Sequence, residues 1–169
     1  MMAAPGNATA ADNRPPSQPV PAGLLTGIAP CAAADTRPYV GGPPVLHAVL
    51  HDPDENRPAA GEKLTAEFEA WWRDADGQEQ RRTFTIPTPM SAPAQHRWTL
   101  PSDLPPDTVI SWRVRAHDAE STSPWSSDGG GSACEFVLDD VSPARPTVTS
   151  PDYAEHGERS TRSAPGPAR

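Results

Sequence analysis

Two histidines are the residues whose spacing first points to a metal site. His47 and His51 are four residues apart, and on a helix this spacing would let both imidazoles reach one ion. The surrounding sequence predicts a strand instead. Four residues of a strand span about 13 Å, at about 3.3 Å per residue, which is too far for two ligands of one ion. We therefore interpret both histidines as surface or edge residues of a strand.

The turn after this strand carries several hard oxygen ligands. Asp52, Asp54, Glu55 and Asn56 follow one another closely, and carboxylate-rich loops can hold calcium. Pro53 suits an ordinary turn equally well, because proline and aspartate are both typical turn residues. The sequence predicts a polar turn here, with calcium binding by Asp52 and Asp54 as the alternative.

Motifs for enzymatic chemistry are not found in this chain. It contains no Gly-x-Ser-x-Gly elbow and no His-Glu-x-x-His motif, and the glycines at 129–131 precede a predicted strand rather than a helix. Glu67 and Glu69 share one face of a predicted strand, but hydrolysis would need carboxylates that face each other across a cleft. We expect a protein that is not an enzyme and has no cofactor.

Aromatic and arginine side chains suggest two other kinds of contact. Arg113 and Arg115 lie on the polar side of a predicted strand, and the ring of Trp125 could stack between them in a cation–π ladder that stiffens the last hairpin. Trp71 and Tyr39, if both were open to solvent on one flat face, would form a platform for a sugar or a protein.

Alternating apolar residues predict the strands that position these side chains. In residues 63–73 every even position from Leu64 to Trp72 is apolar, and residues 109–117 alternate in the same way. This period of two is typical of a half-buried strand. A helix is the alternative for 63–73 because alanine and glutamate favour helices, but a helical stripe would not keep alternate positions apolar for nine residues.

Further short strands are predicted near residues 44–51, 82–86, 95–100 and 134–138, separated by turns rich in proline, aspartate and glycine. Six to eight short antiparallel strands predict an all-β Greek-key sandwich. We expect its interior to contain the large aromatic residues Phe68, Phe84, Trp98, Trp112 and Phe136, with Trp72 near its edge.

Composition limits the sandwich to the middle of the chain. The 23 prolines among 169 residues crowd the two ends, so we predict a disordered tail over 1–27, the sandwich over 28–140, and over 141–169 a mostly disordered linker with the truncated start of a further module. The net charge of −8 argues against nucleic acid, which needs clustered basic residues. No apolar run reaches the roughly 18 residues that span a bilayer, and the first residues lack the pattern of a secretory signal.

The two cysteines stand near opposite ends of the predicted sandwich. Cys31 precedes the first predicted strand and Cys134 lies in the last. In a sandwich these elements can lie side by side, which would permit a disulfide. Two unrelated buried thiols are the alternative. A bridge would imply an oxidising compartment.

An ordered set of short motifs resembles a known family. The motifs are Asn13-Arg-Pro-Pro, Pro30-Cys31, Arg37-Pro-Tyr-Val40, Leu46-His-Ala48, Asp52-Pro-Asp54, Ala66-Glu-Phe-Glu69, Ser111-Trp-Arg-Val-Arg-Ala-His-Asp118, Ser123-Pro-Trp-Ser126, Cys134-Glu-Phe136 and Asp152-Tyr153. Together they are similar to the immunoglobulin-like or fibronectin type III-like modules of large secreted proteins from filamentous high-GC bacteria. In that family such modules stand between laminin G-like jelly rolls and other extracellular domains.

The resemblance implies a Cys31–Cys134 disulfide, a secreted or cell-surface location, and a non-catalytic role as a spacer or adhesion module. The implied partners are neighbouring domains of a parent protein, and beyond them a polysaccharide or a cell-surface protein. A carbohydrate-binding accessory module that uses exposed aromatics is the alternative function. The family would begin another module after Tyr153, whereas this chain continues in polar, proline-rich sequence. We therefore expect it to be a piece of a longer protein.

Overall fold

The computed structural model describes residues 13–56 and 63–139. These residues form ten strands. The strands are β1 (Leu24–Thr26), β2 (Ala29–Pro30), β3 (Tyr39–Val40), β4 (Val45–Leu50), β5 (Lys63–Arg73), β6 (Glu79–Thr85), β7 (Met90–Ser91), β8 (Ala94–Thr99), β9 (Val109–His117) and β10 (Cys134–Leu138). Two short 3-10 turns lie at Pro21–Gly23 and Ala34–Thr36. The number exceeds the six to eight predicted because β2, β3 and β7 are two-residue strands.

The strands form two sheets, which confirms the prediction of an all-β sandwich. One sheet has the order β2-β1-β4-β8, and the other has the order β3-β10-β9-β5-β6, with β7 paired to the start of β5. Within the described residues the strand pairs are antiparallel except β3 and β10, which are parallel. The chain passes from β4 to β5 and β6, back to β8, and across again to β9 and β10. Such crossings between sheets are typical of Greek-key connections.

The alternating residues of the two long strands meet in the interior as predicted. On β5 the even positions from Leu64 to Trp72 are buried, and on β9 those from Ile110 to Ala116 are buried. The facing sheet contributes Leu46, Ala48 and Leu50 from β4, and Trp98 from β8. Burying each large apolar side chain contributes about 1.5–3 kcal/mol, so this shared interior is the main source of stability.

Phe84 departs from the predicted core. Its side chain is 41% exposed because β6 is an edge strand, and all seven of its residues are exposed. The ring instead stacks on Trp98, with centroids 5.7 Å apart and an interplanar angle of 13°. Phe84 therefore covers the margin of the core rather than filling it.

The folded unit begins before residue 28, so the predicted boundary of the N-terminal tail is wrong for residues 13–27. Leu24 to Thr26 pair with β4, and Leu24 and Thr26 are buried. Polar contacts to distant residues fix the proline-rich stretch before them, and alternation cannot reveal such contacts. Residues 1–12, 57–62 and 140–169, which include the other predicted tail segments, lie outside the described residues.

The predicted disulfide between Cys31 and Cys134 is confirmed, with the two Cα atoms 5.0 Å apart. Cys31 lies where the chain passes from β2 in one sheet to β3 in the other, and Cys134 is the first residue of β10. The bond therefore joins the beginning of the sandwich to its last strand.

Candidate functional site

An arginine–tryptophan ladder crosses the outer face of the six-stranded sheet. Trp125 lies between Arg113 and Arg115, whose Cζ atoms are 4.3 and 4.4 Å from its ring centroid, the arrangement that the sequence predicts. The ladder continues beyond this triplet, because Trp71 has the Cζ atoms of Arg113 and Arg81 at 5.5 and 5.4 Å from its own centroid. We use the name ladder for these five residues.

Carboxylates on β5 hold the arginines in register. Glu69 stands opposite Arg113 in the β5–β9 pairing, and its carboxylate accepts hydrogen bonds from Arg113 and Arg81 at 2.6 Å each. Burial would raise the pKa of Glu69, but the hydrogen bonds from the two arginines outweigh it and hold the pKa below its ordinary value. The two glutamates on this face, Glu67 and Glu69, are therefore paired with cations rather than simply solvated.

Two buried serines fix the loop that carries Trp125. The backbone N–H groups of Val114 and Ala116 donate to Ser126 Oγ at 3.2 Å and to Ser123 Oγ at 2.9 Å. In return, the backbone N–H of Ser126 donates to the carbonyl of Val114, and the backbone N–H of Ser123 donates to the carbonyl of Ala116, both at 2.9 Å. Because β10 pairs with β9 only over residues 109–112, the loop takes the place of a strand beyond that point. The Ser-x-x-Ser spacing around Trp125 is the sequence signal for this arrangement.

The segment 13–18, which we call the strap, holds this loop from the other side. The side-chain amide of Gln18 donates to the backbone carbonyls of Trp125 at 2.8 Å and Asp128 at 3.0 Å. At the start of the strap, Asn13 Nδ2 donates to Asp118 Oδ2 at 3.1 Å. Arg14 forms an ion pair with Asp54 at 2.7 Å.

In the candidate calcium turn, protein groups bond to both oxygens of Asp54 and to Oδ1 of Asp52, while Asp52 Oδ2 has no hydrogen-bond partner among the described residues. Arg14 donates its backbone N–H to Asp54 Oδ2 at 2.9 Å and its Nε–H to Oδ1 at 2.8 Å. Asp52 Oδ1 accepts the backbone N–H of Asp54 at 2.7 Å, as in an ordinary Asx turn. Burial raises the pKa of Asp52, with that hydrogen bond opposing it. The Asx-turn hydrogen bond of Asp52 is what favours the turn interpretation. In the described part of the chain no group of three or more His, Cys, Asp or Glu residues is placed to hold a metal.

The histidines of β4 and its following turn have separate surroundings. His51 Nδ1 lies 3.4 Å from Glu55 Oε2. Burial, together with the charge of Arg97, lowers the pKa of His47. The two imidazoles do not share a ligand.

The two residues of the predicted aromatic platform are on the same sheet but not together. Tyr39 on β3 is 71% exposed, whereas Trp71 on β5 is partly buried between arginines of the ladder. Two strands, β10 and β9, separate them, a distance of about 14 Å at about 4.8 Å per strand. An open cavity of about 330 Å³ adjoins Trp71 and is lined by Val109 and Ser111 among others.

His117 contacts a hydroxyl and a carboxylate in an arrangement that the sequence did not predict. His117 Nδ1 lies 2.8 Å from Thr122 Oγ1, and His117 Nε2 lies 2.8 Å from Glu67 Oε2. An open cavity of about 290 Å³ lies beside His117 and is also lined by Lys63. The hydroxyl, the imidazole and the carboxylate come from a loop and two strands, so no local motif connects them. Strand parity alone would have placed Glu67 and His117 on one face.

Comparison with known proteins gives no identification, since no protein-family model matches this chain and no curated protein matches it significantly. Among the described residues no helix is long and apolar enough to cross a membrane.

Proposed function

We propose that this sandwich is an immunoglobulin-like or fibronectin type III-like module. It acts as a non-catalytic spacer or adhesion unit in a modular secreted or cell-surface protein. The main support for this proposal is that the chain enters and leaves the sandwich at its opposite ends along β9, which we call its poles. Asn13 bonds to Asp118, just after the end of β9, whereas Asp139 bonds to Val40 and Leu138 bonds to Asp107, near the beginning of β9. The nine residues of β9 separate the poles by about 27 Å.

The sheet order supports the immunoglobulin-like type. Strands β10, β9, β5 and β6 correspond in order to G, F, C and C′ of such sandwiches, and β1, β4 and β8 correspond to A, B and E. The position of the disulfide differs from that of antibody domains, where the bond joins strands B and F. Here it joins the segment before β3 to β10. This fold accommodates many functions. The support for a spacer role therefore comes from the positions of residues 13 and 139 at opposite poles and from the bonds that hold these ends.

The ends of the unit are held in a way that suits tension. Cys31 and Cys134 enclose a loop of 103 residues in sequence separation, so a force applied between residues 13 and 139 passes through the disulfide and bypasses that loop. Disulfides persist in oxidising compartments, which supports a location outside the cytoplasm.

Small-angle scattering on a tandem fusion of two full chains tests the spacer proposal. We expect an elongated particle in which the second unit adds at least about 27 Å to the maximum dimension, because the chain leaves each unit at the far pole. A tandem in which the two units pack side by side would contradict the proposal.

Force spectroscopy on the same fusion tests the role of the disulfide. Reduction is expected to add about 360 Å of extension per unit, from 103 residues at about 3.5 Å each. The same increase is not expected in the matched double variant Cys31→Ser/Cys134→Ser, which should extend fully with or without reductant. A wild-type extension that is independent of reductant would show that the disulfide does not shield the loop.

A carbohydrate-binding accessory module is the second candidate, supported by the exposed ring of Tyr39 and the cavity beside Trp71. The separation of these rings argues against a flat platform. Affinity electrophoresis against a panel of soluble polysaccharides, with Tyr39→Ala and Trp71→Ala as variants, would support this candidate if retardation were seen and both variants abolished it.

A further inference from the structure

Thr122, His117 and Glu67 form a continuous hydrogen-bonded relay on the outer face of the six-stranded sheet. Both links measure 2.8 Å. A glutamate carboxylate can only accept hydrogen bonds, so the His117 ring nitrogen that faces it, Nε2, carries the proton. In the neutral imidazole the other nitrogen, Nδ1, is an acceptor, and the hydroxyl of Thr122 donates to it. For the neutral ring, the carboxylate at one end of the relay therefore sets the direction of both hydrogen bonds.

The surroundings keep Glu67 in this role. Arg115 Nε donates to Glu67 Oε2 at 2.8 Å, and its second guanidinium nitrogen lies 2.7 Å from the same oxygen. The guanidinium fixes the position of the carboxylate beside His117. Arg115 is in turn stacked on Trp125, so the ladder holds the relay in place.

We propose that Thr122 is an activated hydroxyl that accepts an acyl group from an activated ester or thioester. The Thr122 Oγ attacks the acyl carbonyl carbon, and its proton passes to His117 Nδ1. The bond between the carbonyl carbon and the leaving oxygen or sulfur then breaks, and the leaving group takes the proton from His117. The products are a Thr122 ester and a free alcohol, phenol or thiol. A hydroxyl next to a base that is oriented by a third group has the arrangement needed for nucleophilic attack.

The exposure of Thr122 and the positive charge of the cavity beside His117 suit the binding of an acyl donor. Thr122 is exposed, so an acyl donor can reach its oxygen. The adjoining cavity of about 290 Å³ is lined by His117, Thr65 and Lys63, so the Lys63 ammonium brings a positive charge to the cavity beside His117, and a cation there stabilises negative charge that develops on an acyl oxygen. Thr122 and His117 would touch the reacting atoms, and Glu67 acts as a positioning residue through His117. This inference is independent of the spacer role.

The test uses the full oxidised chain and p-nitrophenyl acetate as the acyl donor. We expect release of p-nitrophenolate and an acetyl group on the peptide that contains Thr122, located by mass spectrometry. Thr122→Val, which keeps the side-chain shape, should abolish acetylation at position 122 because it removes the hydroxyl. His117→Gln should slow acetylation about 100-fold or more, the usual size of a general-base effect. Thr122→Ser should retain it. Thr83→Val, on the outer face of β6, is the matched control and should behave as wild type. Acetylation confined to Lys63 or other amines, or an unchanged rate in Thr122→Val, would overturn the proposal.

A second measurement does not depend on reactivity. The ¹⁵N shifts of His117 should show a protonated Nε2 and an unprotonated Nδ1 in the wild type. Glu67→Gln should lose this single tautomer, because an amide can donate as well as accept, and should slow acetylation of Thr122. A wild-type ring protonated at Nδ1 would overturn the proposal even if the chain became acetylated.

Discussion

The indole Nε1–H of Trp112 donates a hydrogen bond to Thr26 Oγ1 at 2.9 Å across the interior of the sandwich. Both residues are buried, and they belong to different sheets, since Thr26 is in β1 and Trp112 in β9. Trp112 also stands opposite Cys134 in the β9–β10 pairing. The bond therefore anchors an early, short strand of one sheet to the centre of the other.

Replacing Thr26 by Val should destabilise the protein by about 1–3 kcal/mol, because the indole N–H stays buried without an acceptor. Urea denaturation followed by tryptophan fluorescence measures this loss. Thr99→Val, an exposed change on β8 of the same sheet, is the control and should have little effect. An unchanged free energy of unfolding for Thr26→Val would mean that the hydrogen bond contributes nothing net.

Reduction of the disulfide should lower the free energy of unfolding by up to about 4.7 kcal/mol, the chain-entropy value for a loop of about 100 residues. The reason is that the reduced chain has a larger unfolded ensemble. Denaturation curves with and without reductant give the difference. The double variant Cys31→Ser/Cys134→Ser should match the reduced wild type and ignore reductant, and equal stability of oxidised and reduced wild type would contradict the expectation.

His96 should make the protein sensitive to mild acid. Its side chain is 1% exposed, and neither ring nitrogen has a hydrogen-bond partner of ordinary geometry among the described residues. Burial lowers the pKa of His96, and the backbone carbonyl of Leu64 opposes the shift only in part. Below the unfolded value of about 6.5 the unfolded chain therefore binds a proton that the folded chain does not, and stability falls as the pH decreases.

The variant His96→Leu should remove this contribution, so its stability should fall less than that of the wild type between pH 7 and pH 5. Thermal unfolding at several pH values measures the difference. Thr99→Val, an exposed change on the same strand that alters no titratable group, is the control and should keep the wild-type pH dependence. Parallel curves for wild type and His96→Leu would show that His96 is not responsible.

The central contact of the ladder should be measurable as a coupling energy. A double-mutant cycle with Arg113→Ala and Trp125→Leu is expected to give about 0.5–1 kcal/mol, the size of a cation–π contact near the surface. The comparison pair is Arg82 with Trp72, where Cζ lies 6.0 Å from the ring centroid, and its coupling should be smaller. A coupling free energy near zero for Arg113 and Trp125 would show that their contact does not stabilise the protein.

The sequence predicts the parts of this fold that depend on local alternation. The inward faces of β5 and β9 follow from Leu64 to Trp72 and from Ile110 to Ala116, because strand parity and burial are set by neighbours two residues apart. Parity fails at Phe84. It identifies the face of a strand but not whether the opposite sheet extends far enough to cover that face.

Other features depend on pairs that are distant in sequence and have no periodic pattern. The strap bonds Arg14 to Asp54 and Asn13 to Asp118, at sequence separations of 40 and 105, so composition alone made it resemble a tail. The parallel β3–β10 pair involves only two residues on each strand. The relay combines Glu67, His117 and Thr122 from three segments, and only the three-dimensional register brings them together.

The side-chain amide of Gln18 donates hydrogen bonds to the carbonyls of Trp125 and Asp128. These bonds connect the loop that carries the Trp125 indole to the strap. Withdrawal of that segment would remove one of the two sets of bonds that hold the loop of Trp125 and leave those of Ser123 and Ser126 to β9, while the disulfide still joins the beginning of the sandwich to its last strand. The fluorescence of Trp125 would then change when the upstream segment is pulled, well before the whole sandwich unfolds.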